Sequence, residues 1–266
     1  NLPLLFRSNP FLSLRTPAYE EIATEVLGNL VQSSSFPLLI ASIVFSIWGV
    51  SVYLRCLDAV LRRRLVAIAA ICTLWMIEVI VKYKSFTPAY ASLLWYLYYV
   101  PMTLIPIMCQ LCGFRLAGLE RRRPWRRYRN VLWALAGIII LFVLTNDLHH
   151  QVFCFDPASD IWSSVFTYGW GYVLVLVWSV ANFAGFFILI GLSSSYRIRR
   201  FTFTAALVFC AGVFFAVSYA LRVPWAWRLN FSLVYCIFCV VVLEICLESG
   251  VSPRITISRA SLIRCR

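Results

Sequence analysis

Charge is what this sequence has least of. Only 13% of its 266 residues are Asp, Glu, Lys or Arg, against 62% from the AVILMFWYC set. That balance excludes an ordinary water-soluble globule, in which about a quarter of residues are charged. Lysine and histidine are scarcest, with two each: Lys82, Lys84, His149 and His150. The last apolar run has no lysine, so it offers no amine for a retinal Schiff base. Internal repeats, low-complexity linkers and a glycine-rich phosphate loop are absent. The apolar runs lack period-two alternation, which excludes a transmembrane β-barrel.

What remains is apolar sequence in long runs. A hydrocarbon core about 30 Å thick needs roughly 17 to 25 residues of helix, and seven stretches qualify: Phe36–Leu54, Leu65–Val81, Ala89–Phe114, Asn130–Thr145, Tyr168–Leu192, Phe201–Leu221 and Leu229–Cys246. Helices satisfy their own backbone polar groups in lipid. The expected fold is therefore an all-α membrane protein, a seven-transmembrane helix bundle over 36–248, with an N-terminal segment over 1–35 and a short tail over 249–266. Charge placement orients it. The alternate loops after the first, third and fifth spans, with the tail, carry 18 of the 24 Lys and Arg residues, and the other side carries 6. Basic residues collect on the cytoplasmic side, so the N-terminus is expected outside, the C-terminus in the cytoplasm, and the protein in the cell membrane. The net charge of +13 then faces anionic lipid, and "LERRRPWRRYR" between two spans gives no reason to invoke nucleic acid.

Before the first span, Thr16 and Pro17 resemble a helix start, and Ile22, Val26, Leu27, Leu30 and Val31 recur at helical spacing. A short amphipathic helix on the outer membrane surface is expected. Among ten cysteines, Cys109-x-x-Cys112 and Cys236-x-x-Cys239 have metal or redox spacing. Both pairs lie inside apolar spans, where free cysteine packs as a small hydrophobe. Ala181 and Gly185, and Gly212, Ala216 and Ala220, form four-residue steps that let helices approach closely. Pro101 and Pro106 should bend the third span, since each removes a backbone donor. Just before them "LLWYLYYVP" carries Trp95, Tyr96, Tyr98 and Tyr99, either an interfacial aromatic belt or a cavity wall.

Ionisable residues inside spans usually have a partner or a task. Glu78 has Lys82 four residues on, an ion pair in the favourable order; the alternative is a counter-charge in a binding cavity. Glu244 and Glu248 should meet the arginines near the end of the last span. "LTNDLHHQVF" closes the fourth span. Asn146 and Asp147 suit a cap or turn, and His149 and His150 suit ligand recognition, proton sensing or, with Asp156, a metal site.

Four stretches, "LLWYLYYVPMTLIP", "LTNDLHHQVFCF", "YGWGYVLVLVW" and "LEICLESGVSP", occur in an order that resembles the N-terminal seven-transmembrane sensor region of bacterial sensor histidine kinases, over about Phe36 to Pro253. The resemblance implies a signal-receiving module that is normally followed by a cytoplasmic kinase or other output domain. With 13 residues after Pro253 and both histidines on the outer side, no kinase is expected within this chain, nor any catalytic residue, cofactor or metal.

The expected partners are the bilayer, an extracellular ligand, a cytoplasmic kinase or output domain and, in a homodimer, a second copy. Glu78, Tyr98, Asn146, Asp147, His149 and Tyr168 are the expected ligand-binding residues; Pro101, Pro106, Glu244 and Glu248 are expected to carry the signal out. A transporter or membrane-embedded enzyme is the competing class. It would place several ionisable groups at mid-membrane, where Glu78 stands nearly alone.

Overall fold

A computed structural model describes residues 17–84, 88–121, 123–155, 166–191, 196–221 and 223–248. The chain divides into two units, 1–37 and 38–266. Asp156, Gly250 and the tail lie outside the described residues, as does most of the N-terminal segment's detail. Helix α1 is Pro17–Arg55, so the stretch expected as a separate short helix is helical but belongs to an element of 39 residues. It is followed by α2 Ala59–Lys84, α3 Pro88–Leu97, α4 Tyr99–Leu116, α5 Arg123–Leu144, α6 Asn146–His149, α7 Trp170–Gly191, α8 Tyr196–Ala220, α9 Pro224–Trp227 and α10 Phe231–Cys246.

Among the described residues, five stretches are long and apolar enough to cross a membrane: Ser35–Arg55, Ala59–Lys82, Ser92–Leu116 (α3 and α4 together), Pro124–Leu144 and Trp170–Gly191. The last two expected spans appear as shorter apolar helices, Ala206–Ala220 and Phe231–Cys246. The final one starts at Phe231 because Asn230 caps it, its side chain accepting the Leu233 N–H at 3.3 Å. The fourth span starts earlier than expected, inside the basic stretch. Buried Trp125 stacks on Phe114 with centroids 3.4 Å apart, which anchors this first turn of α5 to α4.

The third span, Ser92–Leu116, keeps a helical backbone through the junction of α3 and α4, where Tyr98 has φ −53° and ψ −32° and its N–H donates to Leu94 O at 3.0 Å. Pro101 has no N–H for the Leu97 carbonyl, and its ring crowds that carbonyl, so a bond is missing from the ladder here while the helical path continues. Pro106 sits inside α4 without breaking it. The carbonyl it leaves free, Met102 O, accepts the Ser179 hydroxyl of α7 at 3.1 Å and the Tyr235 hydroxyl of α10 at 3.4 Å. A backbone group orphaned in lipid is thus satisfied by neighbouring helices.

One departure from the all-α expectation is a two-stranded antiparallel hairpin. Strand β1, Phe153–Phe155, pairs with β2, Phe166–Tyr168, in the register Phe153↔Tyr168. Tyr168 therefore belongs to a strand and not to the fifth span. Gly169 permits the turn into α7, since a Cβ there would meet the Gln151 carbonyl oxygen at 2.0 Å. Its N–H donates to Val152 O at 2.9 Å.

Helix α4 lies at the centre, against α2, α5 and α7. Of the expected small-residue step in α7 only Gly185 faces α4, where a Cβ would meet the Gln110 amide end at 2.4 Å; Ala181 is exposed. Trp75, Met102, Ile105, Phe186 and Leu243 are fully enclosed in one core. Outward faces carry Ile43 and Ile47 on α1, Ile138 and Leu141 on α5 and Leu207 and Phe214 on α8, all exposed. So much contiguous apolar surface suits lipid and not water.

Candidate functional site

Two polar networks occupy opposite ends of the bundle. At the arginine-rich end, Asp58 caps α2: its Oδ1 accepts the N–H groups of Val60 at 3.0 Å and Leu61 at 2.9 Å. Its Oδ2 accepts Arg115 Nε at 2.9 Å and Nη2 at 2.6 Å, which ties the start of α2 to the end of α4. Burial works to raise the Asp58 pKa, but the Arg115 guanidinium and the Leu61 and Val60 amides outweigh it and hold the carboxyl below its ordinary value. Arg64 reaches Glu120 and donates to Leu111 O at 2.7 Å.

The same end holds the last helix. Arg55 of α1 meets Glu244 through two hydrogen bonds of 2.8 and 3.1 Å, and Glu248 at 3.1 Å. Trp48 Nε1 adds a bond to Glu244 Oε2 at 2.9 Å. The expected meeting of both glutamates with arginine is present, and a single residue, Arg55, makes it.

At the opposite end the six expected ligand residues fall into two groups. Asn146, Asp147, His149 and Tyr168 build the segment around the hairpin. Asn146 is 1% exposed. Its Oδ1 accepts Val152 N–H at 2.9 Å and its Nδ2 donates to Phe153 O at 2.9 Å, so it clasps the chain between α5 and β1 instead of capping a helix. Tyr96 donates to Asp147. His149 stacks on Phe142 at 4.4 Å. Its Nδ1 accepts Gln151 N–H at 3.1 Å and its Nε2 lies 2.9 Å from Phe142 O, an arrangement that suits the neutral Nε2–H tautomer. Both ring nitrogens are thereby engaged, and the exposed His150 is held in the left-handed region at φ 50° by a turn that closes on Asn146 O. Tyr168 stacks on Tyr172 at 4.0 Å.

Glu78 and Tyr98 form the second group, around Lys82. The expected contact pair of Glu78 with Lys82 is not made: the Lys82 ammonium lies over the rings of Trp95 at 4.1 Å and Tyr98 at 4.2 Å. A desolvated cation over aromatic faces gains about 2 kcal/mol or more, which competes with a carboxylate one turn away. Lys82 is 5% exposed. Both Glu78 oxygens are buried and have no hydrogen-bond partner among the described residues, and neither does Trp75 Nε1 one turn away on α2. Trp75 packs edge-on to Tyr98 at 5.1 Å and to Tyr235 at 5.4 Å. Tyr99 joins the two groups, 5.6 Å from Tyr98 and stacked 5.6 Å from Phe153.

Residues the sequence reading passed over include Trp75, Phe153, Arg55 and Asp58. Asp58 was detectable, as a capping side chain directly before an apolar periodic run. Trp75 carried only its i, i+3 relation to Glu78, and nothing local marked Phe153. A separate cavity between α7, α8 and α10 is lined by none of the six expected residues. The cysteines Cys109, Cys112, Cys236 and Cys239 are buried and free. Cys109 lies near Cys239 and Cys72 near Cys236, so the thiols neighbour one another across helices and do not follow the x-x spacings.

Neither the curated proteins nor the solved structures contain a match to the chain. A family model does match, over residues 37–247, from the first span to the end of α10. By that match the chain belongs to the family described as the N-terminal 7TM region of histidine kinase.

Proposed function

We propose that this membrane sensor region receives a signal from outside the cell at the Glu78–Lys82–Tyr98 site and delivers it to a cytoplasmic output domain through α10. The 18 to 6 partition of Lys and Arg supports an N-terminus outside and a C-terminus inside. On that orientation the aromatic site faces outward and the Arg55–Glu244 contact faces the cytoplasm. The carrying observation is the pair of buried Glu78 oxygens without a hydrogen-bond partner among the described residues. An unpaired carboxylate in a span is costly, and a ligand that brings an ammonium, N–H or O–H group would complete it. Lys82, held back by Trp95 and Tyr98, is the alternative partner. Ligand and lysine would then compete for the same carboxylate, so binding would favour one arrangement of α2 against α3.

The reading is tested by joining the chain, after Gly250, to a dimeric histidine kinase core and reconstituting it in sealed vesicles. Autophosphorylation is followed while the pH and composition of the outer medium are changed. The expected result is a response that Glu78→Gln abolishes without reducing the amount of inserted protein. Activity that ignores both the medium and the substitution overturns the proposal.

A further inference from the structure

We propose that the slot between α7, α8 and α10 binds one acyl chain of the surrounding bilayer. Its wall is made of Phe183 and Phe187 from α7, Phe209 and Phe215 from α8, and Phe231 and Phe238 from α10. Gly212 and Ala216, the small residues of α8, open the space between them.

Three features select a hydrocarbon chain. The first is dryness. The hydroxyls on the wall are already engaged, since those of Ser179 and Tyr235 donate to Met102 O, and the Cys239 thiol is a weakly polar group buried beside Cys109. A buried water needs two to four polar partners, so the slot offers water little. The second is shape. Its lining runs from Leu176 to Phe187 on α7 and from Phe231 to Val242 on α10, which at 1.5 Å per residue is about 16 Å, the depth of one leaflet of a hydrocarbon core about 30 Å thick. Its volume of ≈ 60 Å³ suits a file of methylene-sized groups, since one water-sized sphere takes about 10–15 Å³. The third is location. Beside the slot, Leu207 and Phe214 of α8 and Ile188 of α7 are exposed, so in a membrane this surface is bathed in acyl chains and no protein segment is needed to fill it. The occupant would press on Tyr235, whose hydroxyl holds the Met102 carbonyl at the Pro106 position.

The test uses the whole chain in phosphatidylcholine vesicles that contain a small fraction of lipid with a mid-chain diazirine. After photolysis, labelled peptides are mapped. Labelling at Phe209, Phe215 and Phe238 is expected to exceed several-fold that at Ile43 and Ile47, which are exposed on α1. Gly212→Leu should abolish the excess and leave the α1 labelling unchanged. A side chain is tolerated at that position, since a Cβ would lie 3.5 Å from the Phe238 ring. Ala216→Phe fills the slot independently, should Gly212→Leu fail to insert. Equal labelling of slot and α1 surface in the unmodified protein overturns the proposal, as does an excess that survives both filling substitutions.

Discussion

The carbonyl of Met102 accepts the Ser179 hydroxyl at 3.1 Å, and it is available because residue 106 is proline. An ordinary residue at 106 would donate its own N–H to Met102. Helix α4 is thereby joined to α7 and, through Tyr235, to α10. The contact lies close to the aromatic site, one turn along α4 from Tyr98 and Tyr99, and Tyr235 also packs on Trp75.

This relationship predicts a coupling. Interhelical hydrogen bonds in membranes contribute on average about 0.6 kcal/mol and at most about 1.7. Ser179→Ala should cost an amount in that range, and less in a Pro106→Ala background, where the new N–H satisfies Met102. Reversible unfolding in mixed micelles of both single variants and the double variant measures it. Equal costs in the two backgrounds would mean that the proline does not govern the contact.

Asn146 is predicted to be structural. Asn146→Ala removes its bonds to the buried Val152 N–H and Phe153 carbonyl, at about 1–3 kcal/mol for a buried group that loses its partner. Asn146→Asp keeps an acceptor for Val152 but cannot donate to Phe153, so it should also destabilise. Hydrogen exchange at Val152 and thermal unfolding report the change. Unaltered protection in both variants would contradict the clasp.

At the arginine-rich end the prediction is a pH dependence. The folded Asp58 carboxyl titrates below its ordinary value. Its contribution to stability is therefore complete above the unfolded pKa of about 3.9 and is lost as pH falls through the lower, folded value. Asp58→Asn should be less stable than the parent protein at pH 7, and the difference should shrink below about pH 4. A difference that stays constant from pH 7 to pH 3 would show that the Arg115 contact contributes nothing.

In the kinase fusion, Glu244 should matter more than Glu248, because Arg55 grips it with two hydrogen bonds and Trp48 adds a third. Glu244→Arg should shift autophosphorylation several-fold, and Arg55→Glu in the same chain should restore it. Glu248→Arg should have the smaller effect. Restoration that fails, with insertion intact, would separate the signal from this contact.

Much of the bundle was legible because lipid simplifies the code. Long apolar runs become helices, since no other open structure satisfies its backbone in hydrocarbon. Proline marked the place in the third span where a backbone hydrogen bond is missing. The fate of Lys82 was not legible. An i, i+4 glutamate is visible in sequence, while Trp95 and Tyr98 reach the ammonium only after α3 folds back against α2. Asn146 likewise reads as a cap from its neighbours, because its true partners, Val152 and Phe153, are brought round by a hairpin whose apolar strands resemble span ends.

By itself, then, the sequence determined the solvent, the helical class, the uneven placement of basic charge and the family, because each depends on composition or on order along one chain. Tertiary structure decided which polar groups meet. Hydrogen bonds, ring contacts and ion pairs act over a few ångströms between residues as distant as Arg55 and Glu244 or Met102 and Tyr235. Only the packing of α1, α4, α7 and α10 brings those groups within reach.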